Sequence, residues 1–343
     1  MDFFFAHFPL GFTGLPRYHR IVLPMRNYKL RTDITRAVIG TFALPLGIDP
    51  VNLPAPNQGY TLEFTEGEDG EQDGWSFHVV ASHDRMVGLV REAFGLLPDE
   101  VTPIAEVGSR DAYRSMDVFI AQQPISFEEF LETWEAFEPV ILEDASIGVG
   151  ANSEDPFLEI FLDSWKGLLI HVPDDMKGQV ERMLRRHSLH EVAETWPEDL
   201  DEQEIPSQVR EVLYIEDEES PDLDEVLLQL RERWNLQLDI DSQGNLDEAG
   251  RELGNTLWYG IALCRSIADV DHSGAYVTMW ITAGSVGEVE QLAAERLDRE
   301  GLWSFQSFYT LDRVAFDERP EELSDLPIRG REAEVHLVFE EAW

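Results

Sequence analysis

Apolar positions along this chain switch between two spacings: every second residue, as in a half-buried strand, and every third or fourth, as along one face of a helix. The first such set is a strand over residues 18–23, then Leu30, Ile34, Val38 and Phe42 on one predicted helical face. Two strands over 60–64 and 75–80 follow, joined by the polar run 66–74, which reads as an exposed hairpin loop. Helical spacing returns with Met86, Leu89, Val90, Ala93, Phe94 and Leu97, and a strand over 101–107 closes the set.

The same order then recurs. A strand over 118–120 precedes a helix with Phe127, Phe130, Leu131, Trp134 and Phe137 on one face, and Ser126 with Glu129 forms a capping box at its start. Strands over 157–162 and 168–172 come next, then a helix carrying Met176, Val180, Met183, Leu184 and His187 on one face, and a last strand over 191–196. A third round opens with a strand over 212–215 and a helix with Leu223, Val226, Leu227, Leu230 and Trp234, started by Ser220 and Pro221. Strands over 236–240, 257–267 and 276–282, a helix capped by Ser285 and Glu288, and strands over 303–316 and 335–339 complete it.

Recurring order is the signature of repeated units. The expectation is an α+β chain of three consecutive ferredoxin-like βαββαβ units. They span residues 17–112, 113–205 and 206–343, the last with an extra C-terminal strand, and an N-terminal arm covers residues 1–16. No residue-level identity links the units, so the tandem-repeat reading rests on element order. A fold of this kind hosts many unrelated activities and does not choose among them.

Charge changes the picture. The chain has 343 residues, 26 Lys and Arg against 68 Asp and Glu, and a net charge of −42. The first unit with its arm holds 9 basic and 15 acidic residues, the second 6 and 22, and the third 11 and 31. The negative field therefore belongs mostly to the second and third units. Such a field repels nucleic acid and anionic membranes and draws basic partners. An acidic proteome adapted to salt would produce the same composition, with Lys29, Lys166 and Lys177 as the only lysines. The single cysteine, Cys264, lies among apolar neighbours and suits a core position in a reducing compartment. Together with the absence of a long apolar stretch, it points to a cytoplasmic protein.

Candidate sites are few. Arg17, Arg20, Arg26, Lys29, Arg31 and Arg36 form the one basic concentration, which fits a solvated surface, self-association or an anion contact. Glu198, Asp199, Asp201, Glu202, Glu204, Glu216, Asp217, Glu218 and Glu219 form a candidate acidic interaction face. Asp239, Asp241, Gln243, Asn245 and Asp247 follow the ligand spacing of a calcium loop, but Gly250 stands where the bidentate carboxylate belongs, so a hairpin turn competes with calcium binding. Gly148 to Ser153 is a glycine-rich loop without a phosphate-binding lysine. His187 and His190 are spaced as two metal ligands with no third.

No nucleophile elbow, Walker lysine or paired CxxC is present. No catalytic residue or other cofactor emerges. The expected function is a non-enzymatic interaction protein that offers a carboxylate-rich face to a basic protein, as an immunity protein, inhibitor or nucleic-acid mimic does. A small-ligand regulatory module and an enzyme of unrecognised class are the alternatives.

Overall fold

The computed structural model describes residues 28–50, 53–67, 73–196, 209–216, 220–268, 274–327 and 332–342. These residues form two larger antiparallel sheets with helices, in a mixed α and β architecture.

The first sheet is built from β3 (Gly59–Thr65), β4 (Gly74–Val80), β5 (Glu100–Gly108), β6 (Met116–Ala121), β8 (Ile147–Glu154), β9 (Phe157–Leu162), β10 (Leu168–Pro173) and β11 (Leu236–Leu238). Its order is β11-β6-β5-β8-β9-β10-β4-β3, with the two-residue β7 (Ile125–Ser126) pairing β5. One face is apolar at every second position: Phe77 and Val79, Leu168 and Ile170, Ile160 and Leu162, Val149 and Ala151. Four helices supply the other half of this core: α1 (His83–Phe94), α2 (Phe127–Glu143), α3 (Lys177–Arg186) and α4 (Leu223–Trp234). Phe130 and Trp134 of α2 are fully buried and meet Phe94 of α1 edge-on, with ring centroids 5.1 and 4.7 Å apart. Ser126 caps α2 as its spacing predicts, its hydroxyl accepting from the Glu129 amide.

The second sheet has the order β14-β12-β13-β15, formed by β12 (Thr256–Ser266), β13 (Gly274–Ala283), β14 (Trp303–Val314) and β15 (Glu334–Ala342). Helix α5 (Val286–Glu300) joins β13 to β14 and buries Val289, Ala293 and Leu297 against the sheet, alongside Cys264. Ser285 caps it, and Gly301 ends it with φ of 70°.

Several expectations meet a different arrangement. The strands of the first two expected units share one sheet, which also takes β11 from the third, so the expected boundaries at 112 and 205 do not separate sheets. The helical stripe Leu30, Ile34, Val38, Phe42 is instead extended chain followed by a small hairpin of β1 (Val38–Ile39) and β2 (Phe42–Ala43). Residues 29–31 pair with 212–214, through Arg31 N to Val212 O at 2.8 Å and Tyr214 N to Lys29 O at 2.8 Å. β-Branched residues and the positive φ of Gly40 favour that path over a helix. Of the strand expected over 191–196, Glu191 alone bridges, to Tyr60. Asp222, not Ser220, caps α4 by accepting from the Glu225 amide at 2.9 Å. The expected N-terminal arm and the strand over 18–23 lie outside the described residues.

Candidate functional site

Strand alternation that sends one set of residues into the helix-covered core sends the other set to the opposite face, where no helix among the described residues packs. One end of that face is closed by a small cluster of Phe42, Leu44, Ile48, Val80 and Ala145 with Trp165 and Trp196. Over the rest of it the register aligns six residues directly across the sheet: Thr102 of β5, Asn152 of β8, Glu159 of β9, His171 of β10, Ser76 of β4 and Glu63 of β3. All six are polar. Carboxylates at Glu63, Glu100, Glu106, Glu154 and Glu159 occupy this face, and its strand positions hold no lysine or arginine.

Glu159 sits at the centre, only 5% exposed. Phe157 and Phe161 flank it on the same strand face. Phe161 lies over Gly148 and Gly150: a Cβ at Gly150 would fall 2.3 Å from the Ile160 carbonyl and 2.8 Å from the Phe161 ring. The run 148–153 is therefore strand β8, not a phosphate-type loop, and its glycines make room for an aromatic ring. Asn152 hydrogen-bonds the Glu159 carboxylate, but Glu159 Oε2 has no partner among the described residues. Burial first, then the negative charge of Glu106, raises the Glu159 pKa to about 7. Burial also raises that of Glu106, with Asp163 adding to it.

The one group in the row that could counter this charge is turned away. His171 stands opposite Glu159 in register, yet its Nδ1 lies 2.9 Å from Ser76 Oγ and its ring leans over Gly74, where a Cβ would meet Nε2 at 2.7 Å. Burial lowers its pKa and favours the neutral imidazole.

A second polar cluster, where the two large sheets meet, has the opposite character. Asp111 is buried, and its carboxylate accepts from Arg313 N at 2.7 Å, Arg313 Nε at 2.9 and 3.0 Å, Tyr113 N at 2.8 Å and Arg114 Nη1 at 2.9 Å. Arg313 extends to Asn245 Oδ1 at 3.0 Å and the Leu246 carbonyl at 2.6 Å, while Arg114 reaches Asp117 at 2.5 Å and the Leu311 carbonyl at 3.1 Å. Neighbouring Asp312 is pushed up to about 6 by burial and by Asp117. This is a closed structural clasp. A third place, a cleft beside Trp165, holds His83 and the buried Lys166, whose ammonium donates to the Ile147 carbonyl at 2.6 Å. Burial lowers the Lys166 pKa to about 8, but the cavity is about 10 Å³, room for one water.

The residues singled out from the sequence are placed differently. Arg17, Arg20 and Arg26 lie outside the described residues. Lys29 meets Glu216 at 3.4 Å, Arg31 meets Asp33 at 2.6 Å, and Arg36 forks onto Glu143 at 2.9 and 2.5 Å, so the described half of the basic cluster is neutralised within the chain. Of the acidic run, Glu198, Asp199, Asp201, Glu202, Glu204, Asp217, Glu218 and Glu219 lie outside the described residues, and Glu216 is exposed. Asp239, Asp241, Gln243, Asn245 and Asp247 do not converge: Asn245 turns inward to Arg313, Asp247 accepts from Arg251 Nε at 2.7 Å, and Asp241 accepts from the Gln243 amide. His187 pairs with Glu92 at 2.6 Å. Among the described residues no three His, Cys, Asp or Glu side chains group as metal ligands, and no helix is long and apolar enough to cross a membrane.

Neither Glu159 nor the Asp111–Arg313 clasp was singled out by sequence reasoning, because carboxylates are too numerous for any one to stand out. The signal for Glu159 was present in the alternation of Phe157, Glu159 and Phe161 against Leu158, Ile160 and Leu162. No protein-family model matches the chain, and neither does any curated protein or solved structure.

Proposed function

We propose that this chain is a binding protein that receives a basic protein partner on the face of its nine-stranded sheet where no helix among the described residues packs. The observation that carries this reading is a sheet face with five glutamates and no lysine or arginine at its strand positions, in a chain of net charge −42. Carboxylates held in fixed rows on a rigid sheet attract and orient cationic side chains without the entropy cost of ordering loops. The sequence-based expectation of an acidic interaction protein is kept, but its surface moves from the runs 198–204 and 216–219 to β3, β5, β8 and β9. The C-terminal unit, with its β13–α5–β14 crossover, is the part closest to the expected ferredoxin-like pattern, and in this reading it is a support docked through the Asp111–Arg313 clasp.

Charge reversal separates this reading from mere net acidity. The double substitution Glu63→Lys with Glu154→Lys, both exposed on the open face, is compared with Glu128→Lys and Glu132→Lys on the exposed side of α2. Binding of a decalysine peptide, followed by calorimetry at low and at physiological salt, is expected to weaken much more in the sheet variant and to fall as salt rises. Equal weakening in both variants would show that the peptide senses total charge and would remove the sheet face as the site.

A further inference from the structure

We propose that Glu159, with Asn152 beside it and the negative charge of Glu106 acting on it, forms a subsite for one alkylammonium or guanidinium head, as at the tip of a lysine or arginine side chain of the partner. The inference rests on the acidic-face reading and adds to it a single position where the cation is held.

The argument starts from an unpaired atom. A buried carboxylate oxygen with no donor costs about 1–3 kcal/mol, and folded proteins rarely leave one without a reason. Glu159 is 5% exposed, and its Oε2 has no partner among the described residues. Its side chain lies on the polar face of the sheet, in register between Asn152 and His171, and the exposed Phe157 on the same strand face marks the side from which a cation would enter. Each neighbour withholds neutralisation. Asn152 supplies one hydrogen bond and no charge, Glu106 adds negative charge, and His171 is committed to Ser76 and kept neutral by burial. The group that completes such a site carries positive charge and N–H donors.

The surroundings select the kind of cation. A bare divalent ion needs several convergent oxygens, and among the described residues no group of three acidic or histidine ligands assembles there. An organic cation asks for less convergence and gains from aromatic neighbours. Phe157 and Phe161 stand on either side of Glu159, and the Phe161 ring lies against Gly148 and Gly150. Such rings favour a cationic head near their faces and an aliphatic stem along them.

The test uses the full chain labelled with nitrogen-15, at pH 8 and constant ionic strength. n-Butylammonium, ethylguanidinium, n-butanol and calcium chloride are titrated separately into the wild type and into Glu159→Gln. The two organic cations are expected to shift the Glu159, Asn152, Glu106 and Phe161 amides saturably, n-butanol is expected not to, and Glu159→Gln is expected to weaken the effect at least about 30-fold. Shifts that persist unchanged in Glu159→Gln, or that calcium alone produces, would overturn the subsite. Decalysine separates the two levels. Binding kept in Glu159→Gln but lost in the Glu63→Lys, Glu154→Lys double variant defeats the subsite and leaves the acidic face standing. No decalysine binding by the wild type defeats the acidic-face reading itself.

Discussion

Asp111 and Glu159 are both buried carboxylates on the nine-stranded half of the chain, and they have been given opposite surroundings. Both Asp111 oxygens are taken up by Arg313, Arg114 and backbone amides, in a cluster that joins the two sheets. Glu159 has one amide donor, a like charge in Glu106 and an oxygen with no partner among the described residues. Burial alone therefore does not separate structure from function in this molecule. Under the proposed subsite, the distinction lies in whether the protein completes the charge itself or leaves it for a ligand.

The largest effect should come from opening the completed cluster. Arg313→Ala strands Asp111 without its main counter-charge and is expected to cost about 3–5 kcal/mol in urea denaturation. A loss below about 1 kcal/mol would reduce the clasp to an ordinary surface ion pair and erase the contrast. The next effect has the opposite sign. The folded chain holds the Glu159 proton more tightly than the unfolded chain does, so this residue lowers stability as pH rises from the ordinary glutamate range through about 7. Glu159→Gln is thus expected to stabilise the chain by about 3 kcal/mol at pH 8.5 and to leave it unchanged at pH 4, read from denaturation midpoints at the two pH values. A variant destabilised at pH 8.5 would mean that the carboxylate is already satisfied.

Gly150→Ala places a methyl group against the Ile160 carbonyl and the Phe161 backbone, and is expected to cost about 1–3 kcal/mol while displacing the ring beside Glu159. Wild-type stability together with unaltered Phe161 resonances would remove the packing argument for the site. Ser126→Ala, which deletes the α2 cap on the covered face, sets the scale of an ordinary polar contact at about 1 kcal/mol by thermal denaturation.

Local features were legible in the sequence where one period dominated. The stripe Phe130, Trp134, Phe137 and the pair Ser126 and Glu129 gave α2 its face and its cap, and β9 and β10 were read within a residue. What failed was long-range pairing. Nothing in a linear reading shows that β4 pairs with β10 some ninety residues later, so two apparent repeats merge into one sheet. Glycine misled in β8: its absent side chains serve the Phe161 ring across the ladder, a cause visible only once register is known. The site was illegible for the same reason. Thr102, Asn152, Glu159, His171, Ser76 and Glu63 become one row only through five strand pairings.

The strand order also governs how the chain folds. β4 and β5 are neighbours in sequence but not in the sheet, where the meander β8-β9-β10 is inserted between them. The hairpins β3-β4 and β5-β6 close locally and each leaves an edge waiting for strands made much later. Non-local closure of this kind is slow and exposes unpaired edges meanwhile. On the ribosome, the β5 edge waits for β8, which ends at Glu154, and the β4 edge for β10, which ends at Pro173. The strand carrying Glu159 is the middle of the wedge, so the candidate site comes into being only with the step that joins the two hairpins, before β11 is added beside β6.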